Sequence, residues 1–231
     1  MIKKLDNIPV TVTLEQVLQR LKLEEQEDIA LVSELFAKAK EIARPKAVYR
    51  EAYVEKVSGA RVKINGLWFE SPVLSAKLKD IHRVFAYVCT CGTEVDDWSR
   101  GEKDYVVSLW LDMIKAMFLT DANNYLREFI IGTYKINKLS SVNPGSGNVE
   151  NWPIAQQRPL FDAIGDVKNE IGVTLTDSFL MLPIKSMSGL LFPSEKEFSN
   201  CALCGRENCS GRRAAFDRKM YEGIFKEIAK I

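Results

Sequence analysis

Histidine is nearly absent from this chain: His82 is the sole example in 231 residues. A site that needs two imidazoles is therefore excluded, and a Ser-His-Asp arrangement could run only through His82. Lying beside Arg83, His82 reads as a structural residue. An excess of one charge is lacking too. The 32 basic and 31 acidic side chains leave a net charge of +1, so no global field draws the chain to nucleic acid or to acidic lipid. No apolar run approaches the roughly 20 residues needed to cross a bilayer. The opening MIKKLDNIPVTVTLEQ has lysines but not the apolar stretch of a secretory leader. The expected location is the cytoplasm, with no nucleic acid and no membrane as partner. Internal repeats, low-complexity tracts and Pro/Gly-rich linkers are also missing, which favours one domain.

The remaining composition is that of a globular protein long enough to bury a real core. Thr13-Leu14-Glu15-Gln16 predicts a capped helix start. Ile29, Val32, Leu35, Phe36, Ala39 and Ile42 then follow helical spacing until Pro45. Ala47 to Val57 is β-rich, Ser58-Gly59 turns, and Asn65-Gly66 is a two-residue hairpin signal between Arg61–Ile64 and Leu67-Trp68-Phe69. Val73 to Lys79 predicts a short helix, and Arg83 to Thr90 a buried strand. Tyr105 to Tyr134 is the longest helical pattern, with Leu109, Met113, Ala116, Met117, Thr120 and Asn124 expected along its core stripe. Further on, Trp152 to Gln157 opens a helix that Pro159 is expected to interrupt. Leu160, Phe161, Ile164, Val167 and Ile171 then carry the next one to Gly172.

Three features carry chemistry. Asn143-Pro144-Gly145-Ser146-Gly147-Asn148 cannot be helix or strand interior, and such a turn exposes backbone N–H groups to a polar ligand. It is no dinucleotide fingerprint, because no apolar strand leads into it and the third glycine is missing. The second feature follows the strand-like run Ser178–Leu182 and Pro183. Here Ile184 to Gly189 reads as a loop offering the cation of Lys185, the hydroxyls of Ser186 and Ser188, and Gly189. The third is Cys201-x2-Cys204-x4-Cys209, flanked by Gly205 and Gly211 and by Arg206, Arg212 and Arg213. Thiolates so spaced can chelate one metal, and neighbouring cations favour the thiolate form. A fourth ligand could be Cys89 or Cys91, which are two apart and share a strand face. Iron–sulfur and zinc both suit such ligation, and spacing does not choose between them.

Several of these residues match a known pattern. Pro144-Gly145, Gln156-Gln157 with Phe161, Ile171-Gly172-Val173-x-Leu175-Thr176 and Met181-x-Pro183-x-Lys185-Ser186-x-Ser188-Gly189 resemble the activation domain of cobalamin-dependent methionine synthase. The resemblance is strong over Leu139–Phe192. It is looser over Ala37–Gly92, where Ala43-Arg44-Pro45, Phe69-Glu70-Ser71 and Cys91-Gly92 match. The chain is most similar to free-standing activation-domain-like proteins that end in a cysteine motif.

The resemblance implies one α/β (α+β) domain, a bent antiparallel sheet flanked by helices. Residues 1–198 would form this domain, with 199–231 as its appendage, a cysteine-rich segment and C-terminal helix (Arg213 to Ile231). It implies binding of S-adenosylmethionine, and docking on the cobalamin carried by the corrinoid-binding module of a partner methyltransferase. That corrinoid would be reduced by one electron and remethylated. The cofactor-binding set would be Ser141, Asn143, Pro144, Gly145, Ser146, Gly147, Lys185, Ser186, Ser188 and Gly189. In the synthase an arginine precedes the Pro-Gly and a tyrosine follows it, where this chain has Ser141 and Ser146. The guanidinium expected to clamp the methionyl carboxylate is thus missing from that position, so binding is weak, uses another arginine or is lost. The thiols Cys201, Cys204 and Cys209, with Cys91 or Cys89, would form an iron–sulfur site that supplies the electron. The alternative is a non-catalytic module that docks on a corrinoid protein, with a structural zinc. A third is a globular domain that binds nothing.

Overall fold

The computed structural model describes residues 1–148, 150–195, 198–209, 212 and 214–228. Gly211 and Arg213, named above beside the thiols, lie outside the described residues, as does the end of the expected C-terminal helix.

Strand β1 (Lys3–Leu5) precedes helix α1 (Leu14–Leu21). There the Thr13 hydroxyl accepts from the Gln16 N–H while the Gln16 side chain accepts from the Thr13 N–H. This reciprocal cap satisfies two donors that a helix start otherwise leaves unpaired. Helix α2 (Gln26–Ile42) buries Val32, Phe36 and Ala39 on one stripe. Strands β2 (Lys46–Ser58), β3 (Arg61–Ile64) and β4 (Leu67–Glu70) form the expected meander. Asn65 and Gly66 both take positive φ, as a tight hairpin turn requires. Then come α3 (Pro72–Lys77), β5 (Arg83–Thr90), α4 (Thr93–Ser99), α5 (Tyr105–Tyr134) and β6 (Leu139–Val142). A 3-10 turn leads into α6 (Gln157–Ile164), followed by α7 (Val167–Ile171). The chain continues with the small hairpin β7 (Thr174–Leu175) and β8 (Met181–Leu182), then β9 (Ser186–Pro193). A second 3-10 turn (Asn200–Leu203) and α8 (Arg218–Ile228) close it.

Seven strands make one antiparallel sheet in the order β4-β3-β2-β5-β9-β6, with β1 beside the first part of β2. A bulge between Val54 and Lys56 shifts the register where β2 leaves β5 to pair with β3. Helices cover both faces, so β5 is apolar on both sides. Val84, Ala86 and Val88 pack with α3, α6 and α7, while Phe85, Tyr87 and Cys89 pack with α5. This explains why β5 reads as an unbroken hydrophobic run. A third core joins α1, α2 and α4 to the first half of α5. From the C-terminal segment, Leu203 and Ile224 are buried in the core on the α3–α6–α7 face.

Three expectations are corrected. The buried side of α5 is Trp110, Ile114, Phe118, Ala122, Leu126 and Ile130, with Leu111 beside them; Leu109, Thr120 and Asn124 are exposed. Steps of four overshoot a helical turn by about 40°, so this stripe winds around α5. Its first half meets α1, α2 and α4 and its second half the sheet. Second, Pro159 lies inside the first turn of α6, where its missing N–H costs no intrahelical bond; the break comes at Gly165. Third, Lys185–Gly189 is not a loop: from Ser186 onward it is the start of β9, paired with β5. His82 is exposed at the head of β5.

Candidate functional site

Of the expected ligand residues, Asn143, Ser188 and Gly189 come together beside the β6–β9 pairing, and the others are placed elsewhere. Gly189 stands opposite Tyr87 in the β5–β9 register. Its lack of a side chain leaves a slot filled by the Asn143 amide, which donates to the Tyr87 hydroxyl at 2.8 Å and to the Ser188 carbonyl at 2.7 Å. A Cβ on Gly189 would stand 2.5 Å from that amide nitrogen and 2.6 Å from the Val142 carbonyl oxygen. Asn143, Ser188 and Gly189 therefore lock the glycine turn onto the sheet. On the opposite face, the Ser188 hydroxyl donates to the Gln157 side-chain oxygen at 3.1 Å. The Gln157 nitrogen in turn donates to the Phe179 carbonyl at 2.9 Å. Gln157 thus ties the start of α6 to the β7–β8 hairpin.

Within the turn, Pro144 is buried, and Gly145 and Gly147 both adopt positive φ. The Gly145 N–H donates to the Trp152 carbonyl and the Ser146 N–H to the Asn143 carbonyl, so neither amide points at a ligand. Gly145 lies against Ile154, and Gly147 against Asn151, Asn200 and Cys204. Ile154, against Gly145, is exposed, as are Leu180 and Leu182 in the β7–β8 hairpin region and Ile184 just after it.

Ser141 lines a cavity of about 430 Å³ between α5 and the C-terminal segment. Asn123, Asn124 and Arg127 of α5 form one wall, Met187 of β9 joins Ser141, and Phe198, Ser199, Ala202, Ala214 and Met220 form the other. The three α5 residues were not among the expected site residues. The signal available for them was polar side chains at i, i+1 and i+4 in the middle of an apolar helix. Lys185 and Ser186 do not reach this cavity. Lys185 pairs with Asp112 at 2.6 Å, three turns and roughly 16 Å before Asn123 along α5. The Ser186 hydroxyl donates to the Pro183 carbonyl at 2.7 Å and lies 3.0 Å from the Thr90 hydroxyl.

The thiols fall into two groups. Cys89 and Cys91 are fully buried against α5, in the two cores on that face. They do share a face, as their spacing predicted. Burial pushes both thiols up, Cys91 to about 12, with the Asp96 carboxylate adding to the shift there. Cys201, Cys204 and Cys209 are half-buried or exposed in the C-terminal segment, where Arg212 donates to the Cys201 and Cys204 carbonyls. Among the described residues, no three Cys, His, Asp or Glu side chains group as a metal-binding set. The donor chemistry suits iron–sulfur or zinc, but the arrangement does not gather it, and Cys89 and Cys91 are not brought to the C-terminal thiols. Among the described residues, no helix is long and apolar enough to cross a membrane.

The segment that builds the turn, the β6–β9 pairing and half of the cavity's lining also resembles part of a known family. Residues 135–212 match the family model described as vitamin B12 dependent methionine synthase, activation domain. The resemblance carried by the Pro-Gly turn and the Lys-Ser-x-Ser-Gly stretch thus rests on an independent match over the same residues. More particularly, the chain is similar to a solved structure described as the crystal structure of the MetH reactivation domain bound to AdoHcy. The TM-score is 0.62 at 14% identity, covering 87% of this chain and 81% of that one. At that identity the likeness is one of fold: a mixed α/β domain with an antiparallel sheet flanked by helices. No curated protein matches the sequence.

Proposed function

We propose that this chain reactivates a cobalamin-dependent methyltransferase of the methionine synthase type, binding an S-adenosyl ligand beside β6 and docking on the partner's corrinoid-binding module. The observation that carries this reading is a coincidence of place. The family match over 135–212 supplies Ser141, Met187, Phe198, Ser199 and Ala202 to the cavity, together with the turn beside it. A solved relative in fold is described as bound to AdoHcy.

The chain's own residues would divide the work. Asn143 and Gly189 hold the turn rigid against the sheet. Ile154, Leu180, Leu182 and Ile184 offer the apolar surface that a corrinoid module would cover and so shield from water. When bound, S-adenosylmethionine supplies the methyl group and leaves as S-adenosylhomocysteine. The one-electron reduction that precedes methyl transfer would draw on a reductant outside this chain unless Cys201, Cys204 and Cys209 hold a cluster.

Calorimetric titration of S-adenosylhomocysteine and pull-down of a purified corrinoid module test the proposal together. Binding of both supports it. Retained pull-down with no ligand heat favours the non-catalytic docking module instead, and loss of both overturns the reading. Stoichiometric iron and sulfide in anaerobically prepared protein would return the electron to Cys201, Cys204 and Cys209; stoichiometric zinc would make those thiols structural.

A further inference from the structure

Among the described residues, the cavity beside β6 holds a cation and no acidic side chain. Arg127 is half-buried on α5 and lines the cavity, and no Asp or Glu is among the lining residues. Among the described residues it makes no ion pair. One guanidinium nitrogen donates to the Leu139 carbonyl, two residues before Ser141 on the same strand. A guanidinium has five N–H donors, so this bond fixes its position and leaves most of its capacity unspent. Around it stand the amides of Asn123 and Asn124 and the hydroxyls of Ser141 and Ser199, while Met187, Phe198, Ala202, Ala214 and Met220 give the cavity an apolar side. A half-buried cation facing such a space favours an anion with an apolar body, and a planar carboxylate matches the guanidinium fork.

We propose that Arg127 is the carboxylate-binding residue of this site, so that the ligand's amino-acid end is held from helix α5 rather than from strand β6. The inference rests on the reading above that the ligand is an S-adenosyl compound. The competing role for Arg127 is structural, a tie between α5 and β6 through Leu139. That role would not depend on whether the ligand carries a carboxylate.

The test is calorimetry on the full chain with two probes, S-adenosylhomocysteine and its decarboxylated analogue. The wild type is expected to bind the first about 10- to 100-fold more tightly, the worth of charged hydrogen bonds. Arg127→Met should bind both probes equally and weakly, and Arg127→Lys should keep part of the preference. Should Arg127→Met unfold, Ser141→Glu serves instead: it places a carboxylate in the cavity, neutralises Arg127 and should lower S-adenosylhomocysteine affinity to a similar degree. A folded Arg127→Met that keeps wild-type affinity and preference overturns the inference alone, as does a Ser141→Glu that binds unchanged. Failure of the wild type to bind either probe overturns the inference and the ligand half of the proposed function together.

Discussion

Asn143 and Gly189 share one slot: the amide nitrogen of Asn143 lies 2.5 Å from where a Gly189 side chain would begin. Gly189→Ala is therefore expected to destabilise the fold by about 1–3 kcal/mol, the usual cost of overpacking, seen as a lower urea midpoint. Adding Asn143→Ala should recover only part of it, because the Val142 carbonyl oxygen, 2.6 Å from the same point, does not move away. An unshifted midpoint in the single variant would contradict the close approach.

Leu203 connects the cysteine segment to the core. It is completely buried with Phe198 and Ile224 among residues of the sheet. Leu203→Ala should cost about 2–5 kcal/mol and leave a single unfolding transition. A stability change near zero would mean that the segment is not packed as described.

The thiols should react in order of exposure. Cys209 is exposed and should be alkylated first, Cys201 and Cys204 more slowly, and Cys89 and Cys91 only after denaturant is added. Because burial pushes Cys91 up to about 12, raising the pH from 7 to 9 should not bring it into reaction. Mass spectrometry of peptides after timed alkylation reads the order directly, and early labelling of Cys89 would refute it.

Glu94 and Lys46 give the fold a component of acid sensitivity. Desolvation pushes the Glu94 carboxyl up, but Lys46, 2.6 Å away, and local N–H and hydroxyl donors outweigh it, so the net shift is downward. A carboxyl lowered in the folded state adds stability above its unfolded pKa and loses it as pH falls through the folded value. Lys46→Met should therefore flatten the acid limb of a stability–pH curve while leaving the slope above pH 7 unchanged. An identical acid limb in the variant would show that the pair does not contribute.

The elements of the fold were largely legible because their signals are local: the Thr13–Gln16 cap, the Asn65-Gly66 turn and the apolar run of β5 each act within a few residues. What sequence concealed was long-range. Gly189 looks like a loop residue, yet it lies in β9 and is small because Asn143, from another strand end, needs its space. The stripe along α5 was misplaced because the helix serves two cores in succession, and a winding stripe of four-residue steps does not look like one face. Arg127 escaped notice for a related reason: only the docking of α5 beside Ser141 turns a polar helix position into the wall of a cavity.

The sheet order has a consequence for how this chain is made. Strand β9 sits between β5 and β6, both of which leave the ribosome long before it. Until residues 186–193 emerge, β6 has no partner and β5 has one open side. Two adhesive edges thus wait in the nascent protein, and the glycine turn lacks the Ser188 carbonyl and the Gly189 slot that complete its attachment. Completion of the sheet and assembly of the site would then be a single late event.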